Sequence, residues 1–331
     1  MQTGNKDHDT IKMAKKKKEV KKRVSFLEVI TIIGKILSVL ISVIFLMVFL
    51  LFFIGIFGIG ANELETGNVA VIQIEGTITT TGSDSIMSTG TKSDDIIKLI
   101  DKAEEEKGIK AILFEINSPG GGPVASDEIA SAIKRAEKPT VSLIREIGAS
   151  GGFWVATAAD KVYANRMSIT GSIGATSSKL AFPGLIHDYN VTYRRLVAGE
   201  HKDAGSIWRA LTPDERKMFE EELKSVQEEF IKAVAENRDM DFEEVKKHAD
   251  GFIFSGREAY ENGFVDELGN REDVKKYLEE LLKTDVKFKT FKVKKGLADM
   301  LTGVISENSY NIGKGIGSGF VGEEEKTKIS V

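Results

Sequence analysis

Near the middle of the chain lies the sequence Gly148-Ala149-Ser150-Gly151-Gly152, between a β-branched run at residues 140–144 and an alanine-rich run at residues 153–159. This junction predicts a strand that turns sharply into a helix, because glycine accepts positive φ angles at little steric cost. Such a turn would present Ser150 at the positive end of the following helix. Ser150 is therefore a candidate nucleophile. In the alternative interpretation, its hydroxyl only caps a closely packed helix.

Short strands and helices alternate before this turn. Residues 94–107 carry apolar side chains at helical spacing, and Ser93 is expected to cap that helix. The alternation is typical of right-handed β-α-β units, so it predicts an α/β fold with a mostly parallel sheet flanked by helices. The predicted elements are strands at residues 69–74, 111–116 and 140–144 and helices at residues 94–107 and 123–137.

A second group of elements is predicted after the turn. The sequence Thr212-Pro213-Asp214-Glu215 is typical of a helix start, because threonine can cap, proline suits the first turn and acids favour the positive end. This helix is expected to end near Arg238. The other predicted elements are strands at residues 193–197 and 252–254, helices at residues 242–249 and 271–283, and a small strand and helix before a loose acidic end.

Charge is distributed unevenly along the chain. The 331 residues have a net charge of −4, yet residues 1–25 carry nine Lys or Arg against three Asp or Glu. A nucleic-acid-binding protein would place basic charge on a folded surface rather than in a tail, so no nucleic-acid partner is expected. The chain has no cysteine, and its four histidines are scattered. This composition excludes thiolate chemistry and argues against a metal cluster.

Residues 36–59 form a run of 24 uncharged residues rich in Ile, Leu, Val and Phe. As a helix, this run would be about 36 Å long, enough to cross the hydrocarbon core of a bilayer. A signal peptide would have a shorter apolar core and small residues at its cleavage site, so an uncleaved anchor is favoured. The basic cluster at residues 15–23 precedes the span. A single-pass membrane protein is predicted, with its N-terminus cytoplasmic and residues 61–331 outside.

Five regions follow from these patterns. They are a basic cytoplasmic tail at residues 1–25, a transmembrane anchor at residues 26–60, a linker at residues 61–67, an α/β domain at residues 68–285 and a C-terminal extension at residues 286–331. The extension becomes glycine-rich and ends in the acidic run Glu323-Glu324-Glu325.

A glycine-rich loop, Asn117-Ser118-Pro119-Gly120-Gly121-Gly122, directly follows the strand at residues 111–116. Successive glycines leave backbone N–H groups unshielded, so such a loop can hold an anion or a developing oxyanion. The loop would leave the same carboxyl edge of the sheet as Ser150, where folds of this kind build their sites. The N–H groups of Gly121 and Gly151 are therefore oxyanion candidates.

A serine nucleophile needs a general base, because an isolated hydroxyl reacts poorly at neutral pH. The candidates are His187, His201 and Lys202, although each, taken alone, is better interpreted as a solvated surface residue. A lysine base would have to be uncharged, a state that burial in an apolar pocket favours. The residues alone leave this choice open.

Several motifs, taken in order, resemble the signal peptide peptidase A family, serine proteases with a ClpP/crotonase-type fold. The resemblance covers about residues 68–282, roughly two-thirds of the chain. Its motifs are the glycine-rich loop, Ala149-Ser150-Gly151-Gly152, Ala156-Thr157-Ala158-Ala159-Asp160-Lys161, Ile169-Thr170-Gly171-Ser172-Ile173-Gly174, Gly199-Glu200-His201-Lys202-Asp203, Gly251-Phe252-Ile253-Phe254-Ser255-Gly256-Arg257 and Gly263-Phe264-Val265-Asp266-Glu267-Leu268-Gly269.

The resemblance implies roles for particular residues. It places the nucleophile at Ser150, the general base at Lys202 and a lysine-orienting serine at Ser172. A Ser-Lys dyad uses no histidine, so His201 would be a neighbour of the base. No metal or other cofactor is implied.

The resemblance also implies an oxyanion hole and an assembly. The oxyanion glycine would lie in Gly120-Gly121, in addition to Gly151. The assembly would be a ring-shaped homo-oligomer standing on the membrane, in contact with its lipid. In such rings, the serine and lysine of one site can come from neighbouring protomers.

The resulting hypothesis is a membrane-anchored serine endopeptidase that degrades remnant signal peptides and other apolar, unstructured peptides. One alternative is a crotonase-type CoA-thioester enzyme, since that fold also uses backbone N–H groups to bind an oxyanion. The membrane anchor and the Ser150 turn argue against it. The other alternative is a non-catalytic membrane scaffold of the same fold, against which the presence of both Ser150 and Lys202 argues.

Overall fold

The computed structural model describes residues 26–58, 66–81 and 90–293. The chain divides into two compact units, Met1–Glu65 and Thr66–Val331. The predicted basic tail, most of the predicted linker and the predicted acidic end lie outside the described residues.

The first unit contains one described helix, α1 (Phe26–Gly58). Its stretch Glu28–Phe53 is 26 residues long and apolar, which corresponds to about 39 Å of helix. By length and composition, this helix can cross a membrane. The side chains of residues 28–53 are exposed along the whole stretch.

The second unit is built on a sheet whose central strands are parallel. The strand order is β10-β1-β4-β5-β6-β9, while β7 pairs with β5 and with β8. Only the β7–β8 pair is antiparallel among the described strands. The strands of this sheet are β1 (Val69–Glu75), β4 (Ala111–Ser118), β5 (Thr140–Ala149), β6 (Lys161–Ala164), β7 (Ile169–Gly171), β8 (Ile253–Ser255), β9 (Glu267–Leu268) and β10 (Phe288–Phe291).

A separate parallel pair, β2 (Ile78–Thr79) and β3 (Thr91–Lys92), lies next to the glycine-rich loop. The helices of this unit are α2 (Ser93–Glu105), α3 (Pro123–Lys134), α4 (Gly151–Thr157), α5 (Pro183–Asp188), α6 (Pro213–Arg238), α7 (Phe242–Lys247), α8 (Gly256–Glu261) and α9 (Arg271–Leu282). The α/β class with a mostly parallel, helix-flanked sheet is therefore confirmed.

Both faces of the sheet are covered, which explains why its central strands are apolar at consecutive positions. On β4, Ile112 and Phe114 belong to a large core shared with α2, α3, α4 and α6. The alternate residues Ala111 and Leu113 belong to a smaller core shared with α9. This two-sided burial fixes β4 and β5, the strands that end at the predicted site.

Two local predictions are wrong. Ser93 does not cap α2: the N-cap is Lys92, and the Ser93 hydroxyl donates to a Glu128 carboxylate oxygen at 2.5 Å. Residues 193–197 do not form a strand. A strand needs a neighbouring sheet edge, and in the described chain this segment is instead held by Arg195, whose guanidinium binds Asp203.

The predicted C-terminal extension begins with a strand of the main sheet. β10 pairs in parallel with β1, in the register Val69 to Phe288 and Ile72 to Phe291. The sheet edge beside β1 is therefore formed by residues that the sequence assigned to a separate region.

Candidate active site

Ser150 lies at the turn between β5 and α4. Its backbone has φ 51° and ψ −127°, a conformation that non-glycine residues rarely adopt. By position Ser150 is the N-cap residue of α4, but its side chain makes no capping hydrogen bond, so its hydroxyl is not used as a cap. The residue is half-buried. A strained serine with an uncommitted hydroxyl at a strand-to-helix turn is the geometry expected of a nucleophile.

Helix α4, which follows Ser150, is held firmly in the core. All seven of its residues are buried. The Trp154 ring stacks on Phe230 of α6, with ring centroids 4.9 Å apart. The Ser142 hydroxyl donates to the Ala156 carbonyl at 2.6 Å, which fixes the helix to β5. These contacts leave the Ser150 turn little freedom to relax.

Ser172 lies beside Ser150 because β7 pairs in parallel with the end of β5. Ala149 is in register with Gly171, and the Ser150 N–H donates to the Gly171 carbonyl at 2.8 Å. Ser172 also has a positive φ, 54°. Its hydroxyl donates to the Gly251 carbonyl at 3.2 Å. The structure thus brings these two predicted site residues to one edge of the sheet.

The glycine-rich loop packs directly against the Ser150 turn. Gly120 has φ +101°, and a Cβ there would lie 2.6 Å from the Gly151 nitrogen and 2.8 Å from the Ser150 Cβ. A side chain cannot be placed in that space without moving backbone atoms. The loop is held on its other side by β2, where the Ile78 N–H donates to the Gly120 carbonyl at 2.9 Å.

The three candidate oxyanion donors differ in their availability. The Gly120 N–H donates to the Ser118 hydroxyl oxygen at 3.1 Å, and that hydroxyl donates to the Gly76 carbonyl at 2.6 Å. In the described part of the chain, the N–H groups of Gly121 and Gly151 have no such partner. The Gly121 nitrogen lies 3.2 Å from the position that a Cβ on Gly151 would occupy, so the two free donors are close together. The Ser118 hydroxyl therefore occupies the Gly120 N–H and leaves the N–H groups of Gly121 and Gly151 free. The sequence did not indicate this role of Ser118.

Lys202 lies on the surface, in a turn at residues 199–205. Within the described single chain, no hydrogen bond joins it to Ser150 or Ser172. His201 and His187 are also exposed. The structure therefore brings together Ser150, Ser172 and the glycine N–H groups, and within the described chain none of the three candidate bases is hydrogen-bonded to them.

The residue after Lys202 belongs to an ion-pair cluster that the sequence did not reveal. Asp203 accepts hydrogen bonds from the guanidinium groups of Arg195 and Arg209. Hydrogen bonds from Arg209 and Arg195 lower the pKa of Asp203 well below its usual range. Glu215 binds the other side of Arg209, which lowers the pKa of Glu215 to about 2. Both carboxylates therefore remain charged around neutral pH.

A groove of about 770 Å³ lies at the carboxyl edge of the sheet, on the face covered by α9. Its lining includes Glu115, Arg145 and Arg271, and both arginines pair with the buried Glu115 carboxylate. None of the candidate site residues lines this groove. The one serine in its lining, Ser168, donates its hydroxyl to the backbone carbonyls of Ile144 and Arg145.

A serine at a strand-to-helix turn, facing free backbone N–H groups, is the arrangement that enzymes of acyl transfer use. Comparison with known proteins identifies the family within that class. Residues 132–285 match the model of peptidase family S49. This region includes the Ser150 turn, β7 and the Lys202 turn.

Three relatives are similar to between 61% and 69% of this chain. A putative protease of Methanocaldococcus jannaschii is 34% identical over 69% of this chain and 74% of its own length. A putative signal peptide peptidase SppA of Enterococcus faecium is 34% identical over 62% of this chain and 61% of its own length. A putative protease of Synechocystis is 35% identical over 61% of this chain and 75% of its own length. The chain belongs to peptidase family S49, and the predicted resemblance to the signal peptide peptidase A family is confirmed.

Proposed function

We propose that this protease is a membrane-anchored serine endopeptidase in which Ser150 is the nucleophile and Lys202 the general base. The observation that carries the proposal is the Ser150 turn, where a strained serine faces the uncommitted N–H groups of Gly121 and Gly151. Membership in peptidase family S49 favours a peptide bond over a CoA thioester as the bond that is attacked. It also favours catalysis over a scaffold role.

The chemistry proceeds through an acyl-enzyme. Neutral Lys202 takes the proton of the Ser150 hydroxyl as its oxygen attacks the scissile carbonyl carbon. The N–H groups of Gly121 and Gly151 bind the tetrahedral oxyanion, a contribution of about 3–4 kcal/mol per donor. Protonated Lys202 then gives its proton to the leaving amine as the C–N bond breaks. Lys202 then takes a proton from a water molecule as the water oxygen attacks the ester carbonyl, and it gives that proton to the Ser150 oxygen as the acyl C–O bond breaks.

Ser172 is proposed to orient the lysine. It lies next to Ser150 at the same sheet edge, and its hydroxyl is bound only weakly, at 3.2 Å, to the Gly251 carbonyl. Since a hydroxyl is both donor and acceptor, it can accept a hydrogen bond from an incoming lysine amine while it keeps this contact.

The site is proposed to be completed by a second copy of the chain. Lys202 is exposed in the described chain, whereas a lysine base is expected to work in an apolar pocket. Glu215, bound to the cluster beside Lys202, precedes Phe230 by 15 residues, about 22 Å along α6. Phe230 in turn contacts α4. This separation supports a lysine that serves the Ser150 of a neighbouring protomer.

An apolar surface supports the same assembly. We call residues 175–211, which carry Lys202, the arm. Its side chains include Leu196, Tyr189 and Leu180, which are 93%, 76% and 75% exposed. Exposed apolar side chains concentrated in one segment favour an interaction surface there. A ring of copies would cover it and would bring Lys202 out of water.

The proposed substrates are remnant signal peptides and other apolar, unstructured segments. A relative that carries the name putative signal peptide peptidase SppA supports this substrate class. The apolar helix α1 supports anchoring in the membrane, and the basic cluster before it favours a catalytic domain outside the cell. Such a protease would meet its substrates as they leave the bilayer.

Mixing two inactive variants tests the shared site. Ser150→Ala and Lys202→Ala are each expected to be inactive alone, whereas hetero-oligomers formed by co-expression are expected to regain hydrolysis of an apolar peptide. In the mixture, some interfaces join a copy that retains Ser150 to a copy that retains Lys202. Activity is measured with a fluorogenic peptide on the co-purified, detergent-solubilised protein.

The control mixes Ser150→Ala with the double variant Ser150→Ala, Lys202→Ala, in which no interface has both groups, and it should stay inactive. If the complementing pair is as inactive as this control although both chains co-purify, each site is confined to one chain and the sharing is wrong.

A further inference from the structure

The turn that carries Lys202 has little support from the core. Its backbone hydrogen bonds are local: the Lys202 N–H donates to the Gly199 carbonyl at 3.2 Å and the Ala204 N–H to the His201 carbonyl at 3.0 Å. Gly199 and Gly205, at its two ends, have positive φ angles of 101° and 77°. A turn bounded by glycines and exposed to solvent would move freely unless side chains hold it.

Side chains do hold it, through the residue next to Lys202. The Asp203 side chain is only 14% exposed. The Arg195 Nε donates to its Oδ2 at 2.9 Å and the Arg209 Nη2 to its Oδ1 at 3.0 Å. Arg195 also donates from Nη2 to the Glu200 carbonyl at 2.6 Å. The turn is therefore held on both sides of Lys202.

Arg209 connects this turn to a long helix. Its Nη1 donates to the Glu215 Oε2 at 2.7 Å, and its Nη2 donates to the other Glu215 oxygen. Glu215 lies in the first turn of α6, and its side chain is 4% exposed. The Thr212 N–H donates to Glu215 at 3.0 Å, and the Glu215 N–H donates back to the Thr212 hydroxyl at 3.2 Å, which completes a capping box. A guanidinium fork thus joins a helix start to the Lys202 turn.

The far end of α6 is anchored next to the nucleophile's helix. Phe230 of α6 stacks on Trp154 of α4, and the Gln227 amide donates to the Ala249 carbonyl at 2.6 Å. α6 is therefore a rigid element with its C-terminal half in the core and its first turn bound to the cluster of Arg195, Asp203, Arg209 and Glu215, which we call the clamp.

We propose that the clamp is a positioning device for the general base: it fixes the Lys202 turn to α6, so that Lys202 is presented in one orientation. This inference rests on the proposed role of Lys202. The clamp touches neither the nucleophile nor the oxyanion donors within the described chain, so it acts only through the lysine. Its two acids and two arginines have no net charge, so it orders the turn without adding net charge beside the lysine.

Arginine is the residue that this geometry requires. One guanidinium bonds two carboxylates along two adjacent edges that share Nη2, a planar arrangement that a lysine ammonium does not reproduce. Arg209 lies between Asp203 and Glu215 in this way. Arg209→Met should release the Lys202 turn from α6. Arg209→Lys should keep the positive charge but not the bonds that join Asp203 to Glu215.

The test compares Arg209→Met and Arg209→Lys with Arg216→Met. Arg216 is a matched control because it is exposed and lies in α6, one residue after Glu215. Arg209→Met is expected to lower kcat about 100-fold, the scale of a small displacement of a catalytic group, with KM changed less than about threefold. Arg209→Lys should resemble Arg209→Met, and Arg216→Met should resemble the wild type. Oligomeric state is measured by size-exclusion chromatography on the same samples.

A double variant separates positioning from general loss of structure. If Arg209 acts through Lys202, adding Arg209→Met to Lys202→Ala lowers the residual rate no further. If Arg209→Met does not fold, Arg195→Met provides the same test, because Arg195 is 41% exposed and its loss leaves the Arg209–Glu215 pair in place. Its expected effect is a fall in kcat on the order of tenfold.

Three results would contradict the proposed role of the clamp. The first is a wild-type kcat in folded Arg209→Met or Arg195→Met. The second is a fall in kcat of the same size when Arg209→Met is added to Lys202→Ala, and the third is loss of the oligomer in Arg209→Met. The failure of the proposed function is a separate result. If the Lys202→Ala protein is fully active, Lys202 is not the general base and the proposed function is wrong. If Lys202→Ala is inactive but Arg209→Met is fully active, only the proposed role of the clamp is wrong.

Discussion

The Ser150→Ala protein is expected to hydrolyse an apolar peptide about 10⁴- to 10⁶-fold more slowly than the wild type, judged by kcat/KM. The substitution removes the only oxygen proposed to attack the scissile carbonyl, while the Gly121 and Gly151 N–H groups remain. Hydrolysis is measured with a fluorogenic apolar peptide under conditions in which both proteins form the same oligomer.

The substitution should leave the fold intact. The Ser150 side chain makes no capping hydrogen bond, and alanine meets the same backbone restriction at φ 51° that serine already meets. Ser225→Ala, the same chemical change at an exposed position outside the arm, is the matched control and should keep wild-type activity. A Ser150→Ala protein that keeps its activity would remove Ser150 as the nucleophile.

The Lys202→Ala protein is expected to lose about 10²- to 10⁴-fold in kcat, the range over which a general base contributes. Lys202→Arg should be as inactive, because a guanidinium stays protonated and cannot accept the serine proton. This pair of variants distinguishes a base from a mere positive charge. The measurement is kcat for the peptide, with KM recorded to separate binding from chemistry.

His201→Ala is the control for this prediction. His201 is the residue immediately before Lys202 and is equally exposed, so its loss tests whether any change in this turn stops catalysis. Its kcat should stay near that of the wild type. Near-normal turnover by Lys202→Ala together with an inactive His201→Ala protein would assign the base to the histidine and contradict the dyad.

The parts of the site that depend on local sequence were predictable. The turn at Ser150 followed from small residues between a β-branched run and an alanine-rich run, and the structure places a positive φ there. The start of α6 followed from Thr212 and Glu215, which form a capping box as their spacing predicts. In both cases, the residues that decide the conformation are within a few positions of one another.

Predictions that depend on neighbours in space were less successful. The strand predicted at residues 193–197 has β-branched and aromatic residues but, among the described strands, no sheet edge beside it. The commitment of the Gly120 N–H to Ser118 depends on how the loop folds back, so composition alone could not separate Gly120 from Gly121.

Whether Lys202 and Ser150 of one site belong to the same copy of the chain was the feature that the sequence predicted least. Fifty-two positions separate the two residues, and their spacing contains no information about contacts between copies of the chain. The pairing of Asp203 with Arg209 and Glu215 was also hidden, because each residue alone is typical of a solvated surface. Of the residues in this cluster, only Glu215 had a recognisable sequence pattern, that of a capping-box acid. Its second role, as a partner of Arg209, is visible only in the structure.

Covalent labelling measures whether Lys202 activates the Ser150 hydroxyl. The detergent-solubilised wild-type oligomer is treated with a serine-directed fluorophosphonate, and the modified residue is located by peptide mass spectrometry. We expect a label on Ser150 in the wild type and in His201→Ala, and little or none on Ser150 in Lys202→Ala. An unlabelled Ser150 in an active wild-type preparation, or equally fast labelling without Lys202, would contradict this activation.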